Sequence, residues 1–380
     1  MKQTLTTTAL AALLALGAGA ASAEIRIGAS VSATGPAAFL GDPQAKTLDM
    51  LVEQINEAGG LNGEEIALTL YDDGGDPNKA RTFATRLIED DEVVAIIGGS
   101  TTGASMSILS VAEDNAIPFI SLAGAIEIID PVKPFTFKTP HTDRMACQKI
   151  FEDMQKREIT TIGMISGTDG FGASMQAQCK AVVGEYGITV AADETYNPTD
   201  ADMTAQLTKI RNTDGVQAVL NPGFGQGPSI VTRNYRQLGI ELPLYQSHGV
   251  ASDGFIELAG AEAAEGVRLP GTALLIADQL GADDPQKPVV DAYKTAFEDR
   301  TGTAVSTFGG YAHDAFLILT DAITRAGSAE PEAVRDAIRQ TSGLASTTGV
   351  YTLSSEDHLG LDLTAFRMLE IKGGDWTVVE

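Results

Sequence analysis

The sequence predicts an α/β chain folded as two doubly wound lobes. Three observations carry this. Strand-like apolar runs alternate with helix-spaced segments through most of the chain. The alternation stops and restarts after Lys138-Thr139-Pro140. A chain of 380 residues also exceeds what one ordinary core supports.

The N-terminus reads as an address. Lys2 gives a short positive start, an apolar run follows from about Ala9 to Ala20, and Ala21-Ser22-Ala23 is a small-x-small cleavage pattern. Residues 1–23 are thus expected to be a signal peptide, since the apolar run is too short to span a bilayer. The mature chain then begins at Glu24 in the periplasm, with 380 − 23 = 357 residues. With no Cys at the cleavage site, a lipid anchor is not expected.

The first unit opens with Ile25, Ile27 and Ala29 alternating with polar residues, and turns at Ala33-Thr34-Gly35-Pro36. Leu48, Leu51, Val52 and Ile55 then predict a helix from Pro43 to about Ala58, closed by Gly59-Gly60. A strand over 65–71 leads to Asp76-Pro77, an N-cap followed by proline in the first helical turn. The run 93–97 reads as a buried parallel strand, Gly98–Gly103 as the turn into another helix, and 119–122 as a further strand.

The second unit repeats the rhythm: helix 142–157, strand 161–165, helix 171–186, strand 188–195, helix 202–212, strand 216–221, helix 227–238 and strand 243–246. After Pro270 three helices are expected, 285–300, 308–326 and 331–341, then a hairpin-like pair, 349–353 with 366–372. No low-complexity linker separates the units, which fits lobes joined by several short crossings.

Composition narrows the function. A net charge of −25 disfavours nucleic acid and anionic lipid as partners and favours solubility. Four histidines and two cysteines form no metal-ligand spacing, and no metal or cofactor is expected. Asp72, Asp73 and Asp76 lack the spacing of a calcium loop. Neither a P-loop nor a Gly-x-Ser-x-Gly elbow is present, so the chain reads as a binding protein and not an enzyme. Cys147 and Cys179 fall on helices flanking one strand; a disulfide and two buried thiols both fit.

One junction stands out. Ser100, Thr101, Thr102 and Gly103 lie between a buried strand and a helix start, where free N–H groups, hydroxyls and the helix dipole converge. An anion site and a plain Ser/Thr helix cap are the two readings.

In their order and spacing, Thr34-Gly35-Pro36, Gly41-Asp42, Asn56–Asn62, Tyr71-Asp72-Asp73, Ile96–Thr102, Phe119–Ser121, Asp169–Gly172 and Ala264–Val267 resemble the periplasmic leucine/isoleucine/valine-binding proteins. The resemblance covers the mature chain. It implies the type I periplasmic binding protein fold: two Rossmann-like lobes joined by a three-crossing hinge, with ligand in the cleft. The first lobe would be 24–139 plus 271–348, the second 140–270 plus 349–380.

By the same resemblance, Thr102 would bind a ligand carboxylate beside Ser100 and Thr101. Ala123, Gly124 and Ala125 fall in the second carboxylate-binding segment, with Ala125 where a Thr or Ser is usual. His248 stands where amino-acid-binding members carry the acid that pairs the ligand's ammonium, and Phe171 and Phe224 stand where Tyr is frequent. Phe39 would add a third ring. His141 and Arg144 would lie near the cleft mouth, although an Arg at a helix start more often pairs with its own protein's acids.

The expectation is a monomeric receptor that delivers a small carboxylate to an ABC permease, the preferred ligand being a benzoate-type aromatic monocarboxylate. A branched-chain amino acid is the alternative ligand, and a ligand-sensing ectodomain the alternative role.

Overall fold

A computed structural model describes residues 24–379. The expected signal peptide lies outside the described residues. The chain runs β1 (Ile25–Val31), α1 (Ala38–Glu57), β2 (Ile66–Asp72), α2 (Pro77–Glu89), β3 (Ala95–Gly98), α3 (Thr102–Asp114), β4 (Phe119–Ser121) and β5 (Thr136–Lys138). These strands form a five-stranded parallel sheet in the order β2-β1-β3-β4-β5.

The second unit runs α4 (Asp143–Lys156), β6 (Thr161–Gly167), α5 (Gly170–Val182), β7 (Thr189–Tyr196), α6 (Thr204–Arg211), β8 (Ala218–Asn221), α7 (Gln226–Gln237), β9 (Leu244–Gln246), α8 (Asp253–Ala259), α9 (Ala261–Ala264) and β10 (Arg268–Gly271). There follow α10 (Lys287–Thr301), α11 (Thr307–Ala326), α12 (Pro331–Ile338), β11 (Leu344–Ala345), β12 (Val350–Tyr351), β13 (Arg367–Lys372) and β14 (Asp375–Val378). The second sheet has seven strands, β14-β13-β10-β9-β8-β6-β7, with β13 and β14 antiparallel at one edge.

Each sheet reverses its strand order once, between β1 and β3 in the first and between β6 and β8 in the second. Such switch points open a crevice at the carboxyl ends of the strands, where open α/β sheets bind ligands. Here the two crevices face each other across the lobes and share one cleft lined from both.

The cores follow the apolar runs. Ile27, Ile97 and Ile120 pack against Phe316 and Leu319 of α11 under the first sheet, all at most 2% exposed. Ile165, Val219 and Leu244 pack with Tyr235 and Trp376 under the second. Asp76 caps α2 as its Asp-Pro sequence predicts, accepting from the N–H of Asn78 at 2.8 Å.

Four expectations are corrected. α1 begins at Ala38 and contains Pro43, because Gly41 lets the extra turn lie on the Ser32 backbone, where a Cβ would come within 2.2 Å. The tail does not pair 349–353 with 366–372: β12 pairs with β11, and β13 with β10 and β14. The third crossing is later than Gly349, since Tyr351 and Leu353 belong to the first-sheet core and the chain joins the second sheet only at Arg367. α10 was expected in the first lobe but serves both. Tyr293 and Phe297 bury in the second-sheet core, while the Tyr293 hydroxyl meets Thr47 Oγ1 of α1 at 2.7 Å.

Cys147 of α4 and Cys179 of α5 are joined by a disulfide, which decides the question their spacing left open.

Candidate functional site

The first-lobe wall is the β3–α3 junction. Gly99 turns it with φ of 67°, and a Cβ there would stand 2.3 Å from Ser105 Oγ, so only glycine fits. The three hydroxyls that follow have separate duties. Ser100 Oγ donates to Gln44 Oε1 at 2.5 Å and accepts from the Ser32 N–H at 2.9 Å, tying β1, α1 and β3 together. Thr101 is the helix cap, its Oγ1 accepting from the Ala104 N–H at 3.2 Å. Thr102 Oγ1 is buried without a partner among the described residues. The cap is thus Thr101, and the hydroxyl next to it is left available.

Beyond β4, the chain passes through Ala123, Gly124 and Ala125. The N–H groups of Gly124 and Ala125 meet no acceptor among the described residues. With Thr102 and the start of α3, the Gly124 N–H forms a set of donors suited to a carboxylate.

The second-lobe wall is aromatic. Asp169 caps α5 by accepting from the N–H groups of Phe171 and Gly172, both at 3.0 Å, which fixes Phe171 at the helix start. Phe171 meets Phe224 edge-on with ring centroids 6.1 Å apart, and His248 at 5.4 Å. Ser247 caps the short turn that carries His248, accepting from the Gly249 N–H at 3.1 Å and donating to the Gly223 carbonyl.

The cleft encloses about 400 Å³ with its mouth included. Ser100, Thr101, Thr102, Ala123, Gly124, Phe171, Phe224 and His248 line it. Three expected residues do not. Phe39 stands behind the wall, packing its ring on Phe224 and Phe308 at 6.2 and 5.6 Å. Ala125 turns its carbonyl to Lys138 and its side chain to the core beside α3. His141 is drawn under the cleft because Thr142 starts α4 at the next residue; its ring stacks on Phe366 at 3.6 Å. Arg144 instead bonds Gln178 at 2.8 Å and faces Asp130 at 3.9 Å.

Phe308 and Tyr311 also line the cleft, from the start of α11, and the Tyr311 hydroxyl is buried without a partner among the described residues. Their i, i+3 spacing puts both on one helix face. That spacing was readable in the sequence, but not that the face looks into a cleft.

Among the described residues, no carboxylate and no ammonium side chain lines the cleft. His248 is held neutral: burial, and then the nearby Lys138 charge, push its pKa down to about 3. His141 is pushed well below its ordinary value by burial, by His248 and by Lys138. The cleft thus offers unpaired hydrogen-bonding groups, aromatic surface and a positive group behind one wall.

Two lobes that touch across such a cleft, with polar groups from both left unpaired inside, define a ligand-binding receptor of the clamshell type. The chain belongs to the periplasmic binding protein family, whose profile matches residues 24–375. It is 29% identical over 320 residues to the leucine-, isoleucine-, valine-, threonine- and alanine-binding protein of Pseudomonas aeruginosa, covering 83% of this chain and 82% of that one. An extracellular ligand-binding receptor from Rhodopseudomonas palustris HaA2 superposes with a TM-score of 0.87 at 28% identity, over 94% of this chain and 100% of the other. The fold is also that of an R. palustris ABC-transporter solute-binding protein solved with benzoate, with a TM-score of 0.80 at 21% identity over 94% and 96% of the two chains.

Proposed function

We propose that this protein is the periplasmic receptor of an ABC importer, and that it captures a small aromatic monocarboxylate of benzoate type for delivery to a membrane permease. The observation that carries the ligand assignment is the absence of any carboxylate among the residues lining the cleft, with a neutral His248 at the position where an acid would be needed. An amino acid brings an ammonium group, and a buried cation without a counter-charge is costly. An aromatic acid brings none.

In this reading the carboxylate sits at Thr102 and the Gly124 N–H, and the ring lies against Phe171 and Phe224. His248 and the Tyr311 hydroxyl face a polar ring substituent. Contacts with both lobes favour the closed form over the open one, which is what drives closure.

A branched-chain amino acid is the second reading, favoured by the name of the Pseudomonas relative. It needs an acid for the ammonium. Asp169 is a candidate, but it does not line the cleft and its Oδ1 already accepts two backbone N–H groups.

A thermal-shift panel separates the two. Benzoate or 4-hydroxybenzoate should raise the melting temperature more than leucine, isoleucine or valine does. Submicromolar leucine binding by calorimetry, with no response to the aromatic acids, would overturn the assignment.

A further inference from the structure

Lys138 is fully buried at the end of β5, where the chain first crosses between the lobes. Its ammonium donates to three carbonyls: Gly124 at 2.8 Å, Ala125 at 3.4 Å and His141 at 3.4 Å. The Gly124 carbonyl also accepts from the Asp143 N–H at 3.0 Å. One side chain thus grips the segment whose N–H groups point to no internal acceptor.

We propose that Lys138 is a positioning residue for the ligand's carboxylate: anchored to the carbonyls of Gly124 and Ala125, it fixes the backbone course of the segment that presents Gly124 to the cleft and supplies the positive charge that an anionic ligand meets behind the wall. This rests on the carboxylate reading of the cleft. The ammonium lies 2.8 Å from the carbonyl of Gly124, which lines the cleft, so its charge acts at close range in a buried setting.

The surroundings leave that charge incompletely balanced. Asp143 and Glu127 face Lys138 and favour its charged form, but neither reaches it as a salt bridge. Asp143 spends its acceptors on the Ile126 N–H at 3.1 Å, the Arg144 N–H at 2.9 Å and the Ser174 hydroxyl, and burial raises its pKa. Ser174 also reaches Glu127 at 2.6 Å. His141 and His248 are held neutral, and His358 contributes its carbonyl to the Lys138 N–H at 3.2 Å. Burial accordingly lowers the Lys138 pKa to about 7.

A bound anion favours the charged ammonium and raises that value. The complex therefore holds more protons than the free protein, and affinity falls as pH rises through the free-state pKa, by up to about tenfold per pH unit. Calorimetry with benzoate and with leucine, from pH 6 to 8.5 in buffers of different ionisation enthalpy, reads both quantities.

Wild type should bind its carboxylate with proton uptake and weaken above pH 7. Lys138→Met should bind at least tenfold more weakly with no pH dependence, and Lys138→Arg should keep most of the affinity while losing the pH dependence. Should the Met variant fail to fold, the wild-type proton count and the Arg variant decide. Tight wild-type binding with no proton uptake and a flat profile would overturn the role of Lys138 and leave the carboxylate reading standing. Failure of both benzoate and leucine to bind would overturn the two together.

Discussion

Gly124 of the first lobe and His248 of the second approach so closely that a Cβ on Gly124 would stand 2.8 Å from His248 Nε2, and 2.9 Å from Phe171 Cε2. Both obstructions are buried rings from the opposite lobe, held by their own packing. The contact joins the two lobes, so any opening of the cleft would break it.

Gly124→Ala should therefore prop the cleft open without harming either core. Small-angle scattering should show ligand compacting the wild type and not the variant, with affinity down at least tenfold and the unliganded melting temperature unchanged. Phe171→Ala removes the edge-on contact with Phe224 and should weaken compaction and affinity while leaving the first-lobe donors able to bind feebly. Superimposable scattering curves for wild type with and without a tight ligand would reject closure.

Thr102→Val keeps the shape of the side chain and removes the unpaired hydroxyl. A hydrogen bond to a charged group is worth about 1.5–3 kcal/mol, so affinity should fall roughly tenfold or more. Thr101→Val should act differently: it removes the cap of α3 and lowers stability by about 1 kcal/mol. Equal affinities for wild type and Thr102→Val, with intact fold, would leave the junction a cap alone.

His248 is buried neutral, with its pKa lowered from an ordinary 6.5 to about 3. The unfolded chain binds a proton below pH 6.5 that the folded chain refuses, so this residue lowers stability as pH falls, by about 1.4 kcal/mol per unit in that window. His248→Gln removes the linkage. Melting curves at pH 7, 6 and 5 should show wild type losing more stability than the variant; parallel losses would contradict the burial of a neutral ring.

The Cys147–Cys179 disulfide closes a loop with a sequence separation of 32 and joins α4 to α5 in the second lobe. Replacing both by Ser should cost about 3–4 kcal/mol by the loop-entropy estimate. Chemical denaturation should show the second lobe melting earlier, with the first-lobe transition unmoved.

Much of this architecture was legible before any coordinates. Local chemistry marks Asp76-Pro77 as a helix start and Gly98–Gly103 as a strand-to-helix turn, and period and length mark the strands. The errors fall where a distant contact outweighs a local signal. Pro43 reads as a helix start, yet α1 runs through it because Gly41 can lie on Ser32. The segment 349–353 reads as half of a hairpin, yet Tyr351 is held in the first core with its hydroxyl on the Thr139 carbonyl at 2.7 Å.

The site divides in the same way. Thr102, Phe171, Phe224 and His248, which line the cleft, were singled out in the sequence, the first by its strand-to-helix junction and the other three by the family resemblance. Tyr311 and Lys138 were not, because a tyrosine on an amphipathic helix and a lysine ending a short strand have no local mark. Sequence by itself determined the alternation of strands and helices and the positions of the turns, since these depend on neighbours in the chain. Tertiary structure decided which turns face each other, which helix covers the cleft, and that a buried ammonium stands behind the wall. Those contacts join residues far apart in the chain, and only the packing of the two cores sets their distances.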